Sequence, residues 1–202
     1  MDHKGQKEKP YHHGDLRRAI LDAAYRRLEE SGLDAVTIRA CARDAGVSPG
    51  APIHHFGSLK GLLSALAAQG FDMLVTRLDA DREEKADRSG GALLVGAYVA
   101  FAVSNPKLFD LMWRDDVLDL GHAGLQTARQ RSLERLKGLS DPLADERNAQ
   151  LGAIRNWSLA HGLASLLINR RMVAALGSKD HGLATTQDFV ALAYSDEFAA
   201  EG

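Results

Sequence analysis

Cysteine is almost missing: Cys41 is the only one in 202 residues. That excludes an intramolecular disulfide framework and any zinc or iron–sulfur site built from several cysteines. A reducing cytoplasm is the compartment expected of such a chain. Long apolar runs are missing as well. None approaches the roughly 18 residues that a membrane-spanning helix needs, so no membrane partner is expected. The opening Met1 to Pro10 is polar and charged, which predicts no secretory signal. Patterns that mark catalysis are also lacking. There is no His-Glu-x-x-His, no Gly-x-Ser-x-Gly and no glycine-rich phosphate loop. No catalytic residue, metal ligand set or cofactor is expected.

What is present reads as an ordinary soluble globular chain, 45% apolar and 26% charged. The net charge of −2 hides an asymmetry. Residues 1–60 hold 10 Lys/Arg, 8 Asp/Glu and five of the eight histidines, while the rest hold 15 Lys/Arg and 19 Asp/Glu. A mildly basic first part that can gain charge on histidine hints at a polyanion partner. A chance division of surface charge fits equally well.

Apolar spacing is helical throughout. Residues 1–14 read as a flexible arm. Leu16, Ile20, Ala23, Ala24 and Leu28 form one stripe of a helix over about 15–31, stopped at Gly32. Thr37 can cap a second helix that carries Ile38, Cys41, Ala42 and Ala45. Ser48 can cap a third, with Pro49 in its first position and an end near His55. A longer helix follows from Leu59. The charge-rich Asp79–Asp87 stretch and Ser89-Gly90-Gly91 mark a boundary. Further helices are expected over 92–104, from Asn105-Pro106 through Trp113, over 121–136, over about 144–175 and over 186–199. Alternating strand pattern and internal repeats are not found. The fold class expected is all-α.

The segment around Ala45-Gly46-Val47-Ser48 joins two short helices. Gly46 permits the left-handed backbone of a tight turn, Val47 can plug the gap between the helices, and Ser48 can cap the next one. Small Gly50 and Ala51 then allow close approach to base edges. This is the logic of a helix-turn-helix, whose second helix enters a major groove. Ala-Gly-Val-Ser alone would equally suit a helical hairpin in a core.

The flanking residues shift this balance toward the helix-turn-helix. Thr37 through Ala51, His54-His55-Phe56 and Gly61-Leu62-Leu63 resemble the tetracycline-repressor (TetR) family of bacterial transcription regulators. Tyr11-His12-His13-Gly14-Asp15-Leu16-Arg17, Trp157-x-x-x-His161-Gly162 and Asn105-Pro106-x-Leu108-Phe109-x-Leu111-Met112 are similar to a subgroup with a C-terminal WHG domain. The resemblance covers nearly the whole chain. It implies an N-terminal three-helix DNA-binding domain (15–60) and a C-terminal helical regulatory and dimerisation domain (61–202). It implies a homodimer on a double-stranded, near-palindromic operator, and release by a small-molecule effector. Two positions depart from the family: Ile53 stands where many relatives have Tyr, and Leu59 where many have Lys, with Lys60 one place later. One residue is roughly 100° of helix rotation, so the matched contact of Lys60 is displaced.

Candidate DNA contacts are Thr37, Arg39, Ser48, Gly50, Ala51, His54, His55 and Lys60. Thr37 serves first as a cap, and Arg39 reads equally as a solvated side chain. His55 contacts phosphate by the family resemblance. The His54-His55 pair diverges by about 100° on a helix and makes no metal site together. Phe56 reads as core. Pro52, as fourth residue of the third helix, would remove a hydrogen bond and crowd the Ser48 carbonyl. Candidate effector contacts are Tyr98, Phe101, Phe109, Met112, Trp113, Trp157 and His161, for which plain core packing is the competing reading. Trp157 and His161 share a helix face, and Gly162 suggests close approach of another helix. Asp115, Asp116 and Asp119 read as a solvated helix end or, less simply, a cation site. Two rivals remain: a helical-bundle enzyme, and a ligand-binding protein that no longer reads DNA.

Overall fold

The computed structural model of the protein describes residues 13–84, 90–138 and 146–169. Among them the chain forms eight α-helices, one 3₁₀ turn and no strand. The helices are α1 (His13–Ser31), α2 (Ile38–Asp44), α3 (Ala51–Phe56), α4 (Leu59–Glu84), α5 (Gly90–Ser104), α6 (Pro106–Met112), α7 (Ala123–Gly138) and α8 (Glu146–Ile168). The 3₁₀ turn is Leu33–Ala35. Residues 1–12, the end of the segment expected to reach 175 and the helix expected over 186–199 lie outside the described residues.

Burial follows the periodicity. Ile20, Ala23, Ala24 and Leu28 are almost fully buried on one side of α1. Gly32, at φ +88°, ends that helix. α4 is the spine of the molecule. Its start packs on α1 and α3, and the rest of its length packs on α5, α6 and α7, while α5 lies along α8. A single apolar cluster runs from Ile20 and Leu28 through Leu62 and Leu74 to Tyr98 and Met112. Removing this surface from water drives all eight helices into one body.

The charge-rich stretch does not break α4 at Asp79. The helix continues to Glu84, with Arg77 and Asp81 paired at 2.6 Å one turn apart. Gly90 and Gly91 belong to α5 rather than to a loop, drawn in by the buried run from Leu93 to Ala102. α7 starts at Ala123, two residues later than expected, and Trp113 falls at the C-terminal cap of α6. α1 begins at His13, inside the expected arm.

Close helix approach occurs elsewhere than at Gly162. A Cβ at Gly162 would meet nothing within 4 Å, and the residue is exposed. At Gly70 a Cβ would lie 2.7 Å from Met112 Sδ and 3.2 Å from Leu108 Cγ, so it is α4 and α6 that touch closely.

Candidate nucleic-acid interface and effector cleft

Thr37 caps α2 as its sequence predicts: its Oγ1 accepts the Ala40 N–H at 3.2 Å. Gly46 takes φ +66° in the turn that follows. The Val47 N–H donates to the Ala42 carbonyl at 3.0 Å, and its side chain packs half-buried on the core. Arg27 of α1 pairs with Asp44 at 2.5 Å and fixes the end of α2. The bonded Arg27 guanidinium holds the Asp44 carboxyl below the usual carboxylate range.

Ser48 does not cap α3. Gly50 takes the N-cap position without a side-chain bond, and the Ser48 carbonyl accepts the Ala51 N–H at 3.0 Å in a turn. Pro49-Gly50 favours that turn over a helical start. Pro52, not Pro49, therefore occupies the first turn of α3, where a missing N–H removes no intrahelical bond. The loss anticipated at Pro52 does not occur. α3 is short because it starts late and stops at Gly57, φ +73°.

Arg39, Ser48, Gly50 and His54 are exposed, while Ala51 and His55 are half-buried. Phe56 is half-buried on the core, with the Arg17 guanidinium 5.1 Å above its ring. Lys60 is exposed, and its Nζ donates to the Asp116 carbonyl at 3.3 Å. Sequence reasoning missed Gly61 as more than a family match. A Cβ there would meet the Phe56 carbonyl oxygen at 2.0 Å, so Gly61 sets how α3 sits on α4. Only its place in the motif signalled it.

The acidic residues after Trp113 are engaged in protein contacts. Asp115 accepts from Arg129 at 2.8 Å, Asp116 takes two 2.8 Å bonds from Arg114, and Asp119 accepts the Gly121 N–H at 3.0 Å. Among the described residues no group of three or more His, Cys, Asp or Glu is placed to hold a metal ion.

Six of the seven effector candidates fall in or beside one aromatic cluster. The Tyr98 hydroxyl lies 3.0 Å from His161 Nδ1. His161 stands 5.1 Å from the Trp113 ring centroid and 5.4 Å from that of Phe109. Trp113 and Trp157 are 5.8 Å apart. Met112 is buried in the same helix turn against Gly70. Phe101 is buried but has no place in this ring cluster. Burial pushes the Tyr98 hydroxyl up and His161 down from their ordinary values. Tyr98 is fully buried, so its O–H needs an acceptor, and His161 Nδ1 supplies one. An imidazole that accepts at Nδ1 carries its proton on Nε2.

A cleft of about 490 Å³ opens beside this cluster. Phe109, Trp113 and His161 form one side, and Leu28 of α1 and Leu33 of the 3₁₀ turn form the other. The cleft thus lies between the helix-turn-helix part and the helical bundle. Hydrogen bonds tie those parts together. Glu29 Oε1 accepts the Leu108 N–H at 2.7 Å, Lys107 Nζ donates to the Glu29 carbonyl at 2.7 Å, and the Tyr25 hydroxyl donates to Asn105 Oδ1 at 2.7 Å.

A capped, glycine-turned helix pair presented on an all-helical bundle is the arrangement that helix-turn-helix DNA-binding regulators use. Residues 20–66 match the family described as "Bacterial regulatory proteins, tetR family", and residues 92–187 match "Tetracyclin repressor-like, C-terminal domain". The chain belongs to the TetR family of transcriptional regulators. It is 31% identical over 169 residues to the HTH-type transcriptional regulator BetI of Escherichia coli O17:K52:H18, spanning 81% of this chain and 84% of that one. The BetI of Cronobacter sakazakii is 28% identical over 177 residues, 85% of each chain. A solved structure of a protein with unknown function from Rhodococcus sp. RHA1 superposes with a TM-score of 0.70 at 30% identity, over 92% of this chain and 98% of that one. A bacterial regulatory protein in the tetR family, also from Rhodococcus RHA1, has the same fold, with a TM-score of 0.57 at 19% identity over 88% and 94%. Among the described residues no single helix is long and apolar enough to cross a membrane.

Proposed function

We propose that the protein is a cytoplasmic, non-enzymatic repressor that binds a near-palindromic operator as a homodimer and lets go when a small molecule binds. The division that suits this work is an arm (1–14), a DNA-binding unit (15–60) and a regulatory and dimerisation unit (61–202). Arg39, Thr37, His54, His55 and Lys60 meet the phosphates and position the protein. Lys60 would exchange a neutral carbonyl for a phosphate. Ser48, Gly50 and Ala51 approach the base edges. The dimer holds two copies of α3 about one DNA turn apart, ~34–36 Å, or a multiple of it. Large apolar side chains exposed on α7 and α8, Leu133, Leu151, Ile154 and Leu166, support contact with a second copy there.

The observation that carries the ligand response is the position of the cleft. Its size falls within the ~300–1,000 Å³ typical of small-molecule sites. It touches α1 and α6 together, and α1 is bonded to α6. A ligand that prefers one spacing of these helices lowers DNA affinity by its differential affinity for the two states.

Fluorescence anisotropy of the full chain on DNA from around its coding region, over a salt series, tests the reading. One segment should bind at ~10⁻⁸ M or tighter, with affinity falling steeply with salt. His55→Ala should weaken it. Uniformly weak binding to every segment and to a random DNA pool would overturn the proposal.

A further inference from the structure

The segment from Pro49 to Ile53 offers no side chain that can read DNA by hydrogen bonding, which leaves only His54 and His55 in α3. Pro49, Gly50, Ala51, Pro52 and Ile53 carry no polar side-chain atom. Gly50, Ile53 and His54 lie on one outward face, at spacings of three and four. Pro52 next to them is buried. Gly50 adds no bulk to that face, and a Cβ there would meet nothing within 4 Å. Ile53 is therefore the apolar side chain that projects, 46% exposed, and the only large apolar residue exposed on α1 to α3 among the described residues.

We propose that Ile53 reads the 5-methyl group of a thymine in each operator half-site. The inference rests on the DNA-binding reading above and names what that reading recognises. The thymine methyl is the one apolar group on the base edges of the major groove. An isoleucine pressed on it buries two apolar surfaces together. The same isoleucine against cytosine would cover an amino donor and give it no acceptor, which is unfavourable. An exposed isoleucine thus discriminates T from C without any hydrogen bond. The departure from tyrosine at position 53 changes the mode of reading rather than abolishing it.

The test uses duplexes selected from a random DNA pool by the full-length protein. Each thymine of the selected site is replaced in turn by deoxyuridine, which removes only the methyl. Wild-type affinity should drop about three- to fivefold at one thymine per half-site, the effect of one buried methyl. Ile53→Ala should bind the thymine and uracil duplexes equally well, and Ile53→Val should keep part of the preference. Because Ile53 is exposed, matching thermal melts of the variants will show that folding is unchanged. Enrichment of a site with no methyl effect, or an effect that persists in Ile53→Ala, overturns the inference and leaves the regulator reading standing. Failure to enrich any sequence overturns both.

Discussion

Gly61 stands against the carbonyl oxygen of Phe56: a Cβ at position 61 would lie 2.0 Å from it. The obstacle is backbone and cannot turn aside. α3 and α4 meet as they do only with glycine here. Gly61→Ala should displace α3 from α4, lower stability by ~1–3 kcal/mol as overpacking does, and weaken operator binding. Urea unfolding and anisotropy check both. An alanine variant that matches wild type in both would refute the contact.

The turn at Gly46 makes a different demand. Space around a Cβ at position 46 is open, yet φ is +66°. Gly46→Ala should therefore be destabilising by ~1–2 kcal/mol through conformation alone, and Gly46→Asn by less, since asparagine tolerates this region. Thermal melts would rank the two. Equal melts for alanine and asparagine would contradict this ranking.

Glu29 provides what α6 lacks. Asn105 precedes that helix without a side-chain cap, and the N–H of Leu108, the third residue of the helix, finds Glu29 Oε1 instead. Glu29→Ala should destabilise by ~0.5–2 kcal/mol, the usual range for a lost cap. Glu29→Gln keeps an acceptor and should recover most of it. Chemical denaturation of the three proteins separates the lost bond from the lost charge.

His161 gives the protein pH sensitivity in an upper window, and Asp44 and Asp116 (the latter bonded to Arg114) share a lower one. His161 titrates below its ordinary 6.5 because it is buried. As pH falls from above 6.5, the unfolded chain takes up a proton that the folded chain resists, so stability declines in that window. Asp44 titrates below its ordinary 3.8 because Arg27 is bonded to it. Its contribution is complete above that value and is lost as pH falls through the folded one. His161→Gln should flatten the upper window only, and Asp44→Asn should reduce the slope of the lower window only, with Asp116 keeping the rest. Stability curves over pH 3–7.5 would show any crossing of these effects.

Elements that depend on local spacing were legible in the sequence. The α1 stripe, the Thr37 cap, the Gly46 turn and the Val47 plug all follow from neighbours within a few residues. Ser48 misled because Pro49-Gly50 closes a turn before a helix can start. Gly162 misled because a glycine in a helix does not say which side of it is crowded. Gly61, Gly70 and the Lys60–Asp116 bond were out of reach, since each depends on a residue brought near by tertiary packing. Tyr98, Phe109, Trp113, Trp157 and His161 come together in the fold, whereas Phe101, whose helical spacing carried no sign of it, lies outside the ring cluster.

The trans-cap of α6 also bears on how such proteins can be recombined. The first turn of α6 borrows an acceptor from α1, so the two halves share a hydrogen bond across their seam. A chimera that joins a foreign DNA-binding half to this bundle inherits the vacancy unless its first helix offers a carboxylate or amide where Glu29 stands. Such a graft would recognise its operator but grip the sensor loosely, and it would respond weakly to ligand. Seam residues such as Glu29 thus bear on which halves are interchangeable.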